Sequence, residues 1–81
     1  MAPDQLRGLL RRQPFRPFRL IMSNGNTYDV MGAEWMIVTS RSSAVGYPGE
    51  SGDGDIIHWL DNDHILEEVY FLPYAAILLH H

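Results

Sequence analysis

Phe18-Arg19-Leu20-Ile21-Met22-Ser23-Asn24-Gly25-Asn26-Thr27-Tyr28-Asp29-Val30 is the stretch on which the fold turns. Phe18, Leu20 and Met22 alternate with Arg19 and Ile21, the period of two shown by a half-buried strand. Asn24-Gly25 is a strong hairpin signal, because glycine tolerates the positive φ of a tight turn, and strand-forming Thr27, Tyr28 and Val30 follow it. Two antiparallel strands are expected here. Downstream, Trp35, Ile37 and Thr39 alternate with Met36, Val38 and Ser40 as a third strand, and Arg41–Ser43 turns it into a fourth at Ala44–Tyr47. Pro48–Asp55 is a cluster of breakers and short polar residues that reads as a loop. Ile56–Leu60 forms a fifth strand, Asp61-Asn62-Asp63 a turn, and His64–Leu72 a sixth strand ending before Pro73.

Upstream of the hairpin, Pro3 suits a first helical position, Asp4 and Gln5 fall in the first turn, and Leu6, Leu9 and Leu10 recur at helical spacing. A short amphipathic helix over about 3–13 is expected, ended by Pro14 and Pro17. With Gly8 inside it, such a helix is marginal alone and must dock on something. Strands in hairpin order with short turns favour a mainly β fold: a small, strongly bent antiparallel barrel of five or six strands, with the helix over one open end. The expected organisation is a single domain over 1–81: the helix, a barrel over about 15–72, and an apolar tail over 73–81.

Eighty-one residues are room for one domain, and 46% hydrophobic residues are too many for a disordered chain. A domain this small buries only about 60% of its unfolded surface. Ordering its residues costs about 1.5 kcal/mol each, which nearly cancels the gain. The chain has no cysteine, so neither a disulfide nor a thiolate metal site can help, and homo-oligomerisation becomes the expected support. The stretch Val69–Leu79 is too apolar to leave in water and would fold back over the barrel or pair with a neighbouring subunit. Broken by Pro73, it is far short of the roughly 20 residues that span a bilayer, and the N-terminus shows no apolar leader, so a cytoplasmic protein without membrane attachment is the expectation.

The net charge of −4 is unevenly placed. Residues 1–19 hold Arg7, Arg11, Arg12, Arg16 and Arg19 against Asp4 alone, whereas Arg41 faces nine carboxylates in the remainder. Any nucleic-acid surface therefore lies at the head. Arg16 and Arg19 interleave with Phe15 and Phe18, material that can hold phosphate and stack on bases, although arginines opposite an apolar stripe also make an ordinary solvated face and the rings an ordinary strand anchor.

His58, Asp61, Asp63, His64 and Glu67 are the densest group of potential metal ligands, but Asp61 and Asp63 suit a tight turn better, and no metal or other cofactor is expected. Asp53-Gly54-Asp55 lacks the third oxygen and distal glutamate of a calcium loop. None of Ser23, Ser40, Ser42, Ser43 and Ser51 sits in a nucleophile elbow, and Glu67 and Glu68 face opposite sides of a strand. No catalytic residue and no small-molecule substrate can be named, and His80-His81 support no site. A non-catalytic interaction or assembly module is the expectation.

Gln13-Pro14-Phe15-Arg16-Pro17-Phe18-Arg19, with a leucine-bearing helix before it, an Asn-Gly hairpin after it and Asp61-x-x-His64-Ile65 near the end, resembles a set of short bacterial proteins that share this layout and to which no activity is attached. The likeness covers roughly residues 3–70. The order of helix, strand, Asn24-Gly25 turn and further strands, closing on His64-Ile65-Leu66-Glu67-Glu68-Val69, is also similar to Sm-like proteins. That second resemblance implies an Sm-like or SH3-like barrel in a ring oligomer holding RNA. Arg7, Arg11, Arg12, Arg16 and Arg19 would then meet phosphate, and Phe15 or His64 would stack on bases. Asn62-Asp63 occupy the place of the aromatic–lysine pair that precedes the histidine in the RNA-binding members, and an acidic residue there repels phosphate.

Overall fold

The first hairpin forms where the alternation puts it. A computed structural model describes residues 1–49 and 54–71, in which β1 (Phe18–Met22) and β2 (Thr27–Val30) pair antiparallel, with Phe18 opposite Val30 and Ile21 opposite Thr27. Gly25 has φ +89° and donates its N–H to the Met22 carbonyl at 2.9 Å, while Met22 N–H meets the Asn26 carbonyl at 2.8 Å. Asn24 Oδ1 accepts the Asn26 N–H at 2.9 Å. The loop thus spans Ser23–Gly25, with glycine in the left-handed conformation that such loops require.

The third strand is shorter than its alternation predicts. Ala33–Trp35 form one 3₁₀ turn and only Met36–Val38 (β3) join a ladder, because the Thr39 N–H and hydroxyl already bond the Ser42 carbonyl, at 2.8 and 2.7 Å, and turn the chain. β4 (Ser42–Pro48) accordingly starts two residues before the expected Ala44. β5 (Asp55–Asp61) pairs along all of β4, from Ser42 opposite Asp61 to Pro48 opposite Asp55, so the ends of the glycine-rich stretch are ladder and not loop. Gly49 N–H donates to the Gly54 carbonyl at 2.7 Å, and a Cβ at Gly49 would stand 2.4 Å from that oxygen. Asn62–His64 make a second 3₁₀ turn, with Asp61 Oδ1 accepting the Asp63 N–H at 3.0 Å as an Asx cap, and β6 (Ile65–Tyr70) follows. The sixth strand is thus shorter than the expected His64–Leu72, starting after the turn and ending at Tyr70 with Phe71 already outside the ladder, while the interior of the expected loop (50–53), Leu72 and the apolar tail 73–81 lie outside the described residues.

The six strands form two three-stranded antiparallel sheets, β2-β1-β6 and β3-β4-β5. β6 returns to the first strand, Tyr70 opposite Phe18, with a register shift between Ile21 and Met22. Between β2 and β3 the chain makes the Ala33–Trp35 turn, and there the ladder is interrupted. Helix α1 (Pro3–Arg11) ends two residues before the expected limit, because Pro14 disfavours helical backbone at Gln13 and Arg12 is already extended. The amino group of Met1 donates to the carbonyls of Asn62 and Ile65, fastening the start of the helix to the β5–β6 turn. Leu6 enters a single core with Phe18, Leu20, Met22 and Val30 of the first sheet, Met36, Val45 and Leu60 of the second, and Ile65.

Candidate functional site

Three arginines of the basic head, Arg12, Arg16 and Arg19, lie around the end of β6, and four of the five already have a partner. Arg12 and Arg16 place their guanidinium carbons 5.1 and 4.4 Å from the centre of the Tyr70 ring. Arg19 lies 5.3 Å from the Phe71 ring and grips Asp29 through two bonds, Nε to Oδ1 at 2.6 Å and Nη2 to Oδ2 at 3.2 Å. That contact raises the Arg19 pKa, chiefly through the hydrogen bond to Asp29. Arg7 meets Asp4 at 3.4 Å one turn away on the helix. Arg11 is exposed, and among the described residues it forms no ion pair. Phe15 is half-buried, its ring centre 6.0 Å from that of buried Phe18, so both rings anchor the strand.

His64 does not join this group. It is exposed in the turn that opens β6, six residues from Tyr70, or about 20 Å at the rise of an extended strand. His58 is likewise parted from the carboxylates near it in sequence: its ring packs 5.2 Å from Tyr28 and 5.9 Å from Tyr47. Among the described residues no three or more histidine, aspartate or glutamate side chains are placed to hold a metal ion.

A second surface stands out once the strands are paired. Ile37, Ala44 and Trp59 form one row across β3-β4-β5, and Ile37 is 67% and Trp59 71% exposed. Ile57, opposite Gly46, extends the apolar face by one row. Beside it opens a cleft of about 380 Å³ lined by Glu34, Trp35, Ile37, Ala44, Gly46, Tyr47, Pro48, Asp55 and Ile57. Ala44 and Gly46 are its smallest lining residues, and a Cβ at Gly46 would come within 3.1 Å of Ile57 Cδ1. Trp35 and Tyr47 stand edge to face, 5.6 Å apart at 90°. The sequence carried a signal for this face: Ile56-Ile57-His58-Trp59-Leu60 is apolar at successive positions, so a strand there loads both of its faces while the core takes only one.

Tyr47 ties the cleft to the first sheet, its hydroxyl donating to the Asp29 carbonyl at 2.7 Å. Burial, assisted by the Asp29 carboxylate, raises the Tyr47 phenol above its ordinary 10.0. In the unfolded chain the phenol ionises at its ordinary value and in the folded chain at a higher pH, so this residue's contribution is complete below pH 10 and is lost as pH rises past it. Tyr47→Phe is expected to cost about 1 kcal/mol at neutral pH through the lost hydrogen bond. The variant should also show a shallower loss of stability above pH 10 than the wild type in urea titrations, and equal alkaline slopes would contradict the assignment.

Among the described residues no helix is long and apolar enough to cross a membrane. Compared with protein-family models, curated proteins and solved structures, the chain matches none of them.

Proposed function

We propose that this protein is a non-catalytic interaction module that assembles with copies of itself, and that its two sheets are halves of one strongly bent Sm-like or SH3-like barrel. Three features support the barrel: β6 pairs back onto β1, both sheets and the helix share one core, and a single 3₁₀ turn links β5 to β6. The order of helix, Gln13–Arg19 segment and hairpin is the one shared with the short bacterial proteins the sequence resembles, and the barrel is what the Sm-like resemblance implies.

The observation that carries the assembly reading is the Ile37–Ala44–Trp59 row. Two large apolar side chains in register on one sheet face, each more than two-thirds exposed, are costly to leave in water. A second copy removes that cost and adds buried area that an 81-residue chain needs. The RNA reading draws less from the geometry, since Arg7 and Arg19 are paired with carboxylates, Arg12 and Arg16 share one ring, and His64 is remote from them.

Light scattering on a size-exclusion column, with absorbance followed at 260 and 280 nm, tests the reading. The wild type is expected as a discrete oligomer without nucleic acid. Trp59→Glu should dissociate it at least tenfold more readily, since burying a large apolar side chain is worth about 1.5–3 kcal/mol, while circular dichroism stays unchanged because the side chain is exposed. A wild-type monomer would overturn self-assembly, and an oligomer whose 260 nm absorbance salt strips away would favour RNA as the partner.

A further inference from the structure

The cleft beside the apolar row has the chemistry of a guanidinium site. Two acidic residues, Glu34 and Asp55, line it together with Trp35, Tyr47 and the aliphatic Ile37 and Ile57. The Glu34 carboxylate is folded over the backbone of Gly32, where a Cβ would stand 2.7 Å from Oε1, and the Tyr47 ring is fixed by its bond to Asp29. A guanidinium is weakly hydrated, stacks on aromatic faces and takes carboxylates in a fork, so a lining of acidic, aromatic and aliphatic residues suits it.

The chain itself carries a matching group. Arg11 ends helix α1, exposed, with no ion pair among the described residues, on the segment that holds five of the six arginines. Glu34 and Asp55 belong to the remainder, where one arginine faces nine carboxylates. Each copy therefore presents a basic head and an acidic, apolar cleft. Stacking head to cleft brings opposite charges together, whereas cleft to cleft sets Glu34 and Asp55 against their own kind.

We propose that the cleft receives the Arg11 side chain of a second copy, so that copies associate head to tail. This rests on the self-assembly reading and deepens it by naming the two halves of the contact. The halves are different regions of one chain, so the contact is heterologous and closes into a ring when the rotation between copies permits.

Charge reversal tests it on residues that are all exposed: Arg11→Glu in one variant, and Glu34→Arg with Asp55→Arg in another. Either variant alone places like charges together and should associate at least tenfold more weakly than the wild type, with unchanged circular dichroism. An equimolar mixture should recover the wild-type mass in light scattering, because the acidic head of one variant then meets the basic cleft of the other. Glu34→Gln with Asp55→Asn should weaken association without introducing repulsion, and added salt should weaken the wild type in the same direction. If both reversed variants assemble as the wild type does, or if neither assembles and the mixture fails to recover, the pairing of Arg11 with the cleft is wrong while self-assembly stands. A wild-type monomer overturns both.

Discussion

Phe18→Ala is expected to remove most of the stability of the fold. The ring is fully buried at the start of β1, the strand that pairs on both sides, opposite Val30 and Tyr70. Around it lie the half-buried Phe15 and a core drawn from the helix and both sheets, so the cavity cannot be closed by moving one neighbour. Truncating a buried phenylalanine costs about 3–5 kcal/mol, and domains of this kind hold about 5–15 kcal/mol in total, the smallest being nearest the lower figure. Neighbouring Arg19→Ala supplies the control: the side chain is exposed and its bond to Asp29 lies on the outer face, so the urea midpoint should hardly move. A Phe18→Ala loss below about 1 kcal/mol would mean that the ring is not part of a closed core. The Phe15–Arg19 segment thereby separates into two roles that its composition alone left mixed, rings inward and arginines outward.

That separation shows how far the sequence could be read. Period-two alternation located β1 and β2 well, because each of these strands sends successive side chains to opposite faces and the buried face selects apolar residues, whereas β5 was legible as a short run rich in apolar residues between breakers and a turn. Breakers were less informative. Gly49 and Gly54 look like loop residues, yet they allow the ends of β4 and β5 to approach closely, and the ladder runs on to Pro48 and Asp55. Trp35 alternates properly with Ile37 and still lies outside β3, since the Gly32–Trp35 hydrogen bond makes a turn that no period reveals. The cleft was hidden for a different reason. Glu34, Tyr47 and Asp55 are far apart in sequence and meet only through the pairing of β4 with β5 and the turn before β3, a register that composition does not encode. The basic head was legible as charge, but the capture of Arg12 and Arg16 by Tyr70 depends on β6 returning to β1.

Asn62 is the residue whose importance the sequence concealed most, since Asp61-Asn62-Asp63 reads simply as a turn. Its side chain is in fact buried at 1% exposure with both polar atoms bonded: Oδ1 accepts from the Ser43 hydroxyl at 2.6 Å and Nδ2 donates to the Thr39 carbonyl at 2.9 Å. Its backbone N–H meets the Arg41 carbonyl at 2.9 Å, so one residue joins the β3–β4 turn to the β5–β6 turn. Asn62→Leu should cost about 2–4 kcal/mol, because it leaves the buried Ser43 hydroxyl without a partner, at about 1–3 kcal/mol, and also removes the partly buried bond to the Thr39 carbonyl, at about 1 kcal/mol. Adding Ser43→Ala to that variant removes one orphaned group and should restore part of the loss, a non-additivity that a double-mutant cycle in urea reads directly. Asn62→Asp sharpens the test. The carboxylate can still accept from Ser43, but it has no proton to donate to Thr39 and carries a charge into a buried site. Burial raises the folded-state pKa of that carboxyl above its unfolded value near 3.9, so the variant should lose stability relative to the wild type as pH rises through that value and be nearest to it in acid. A pH-independent deficit would show that the Asn62 site is open to water, and the two turns would then have to be held together by Met1 and the helix alone.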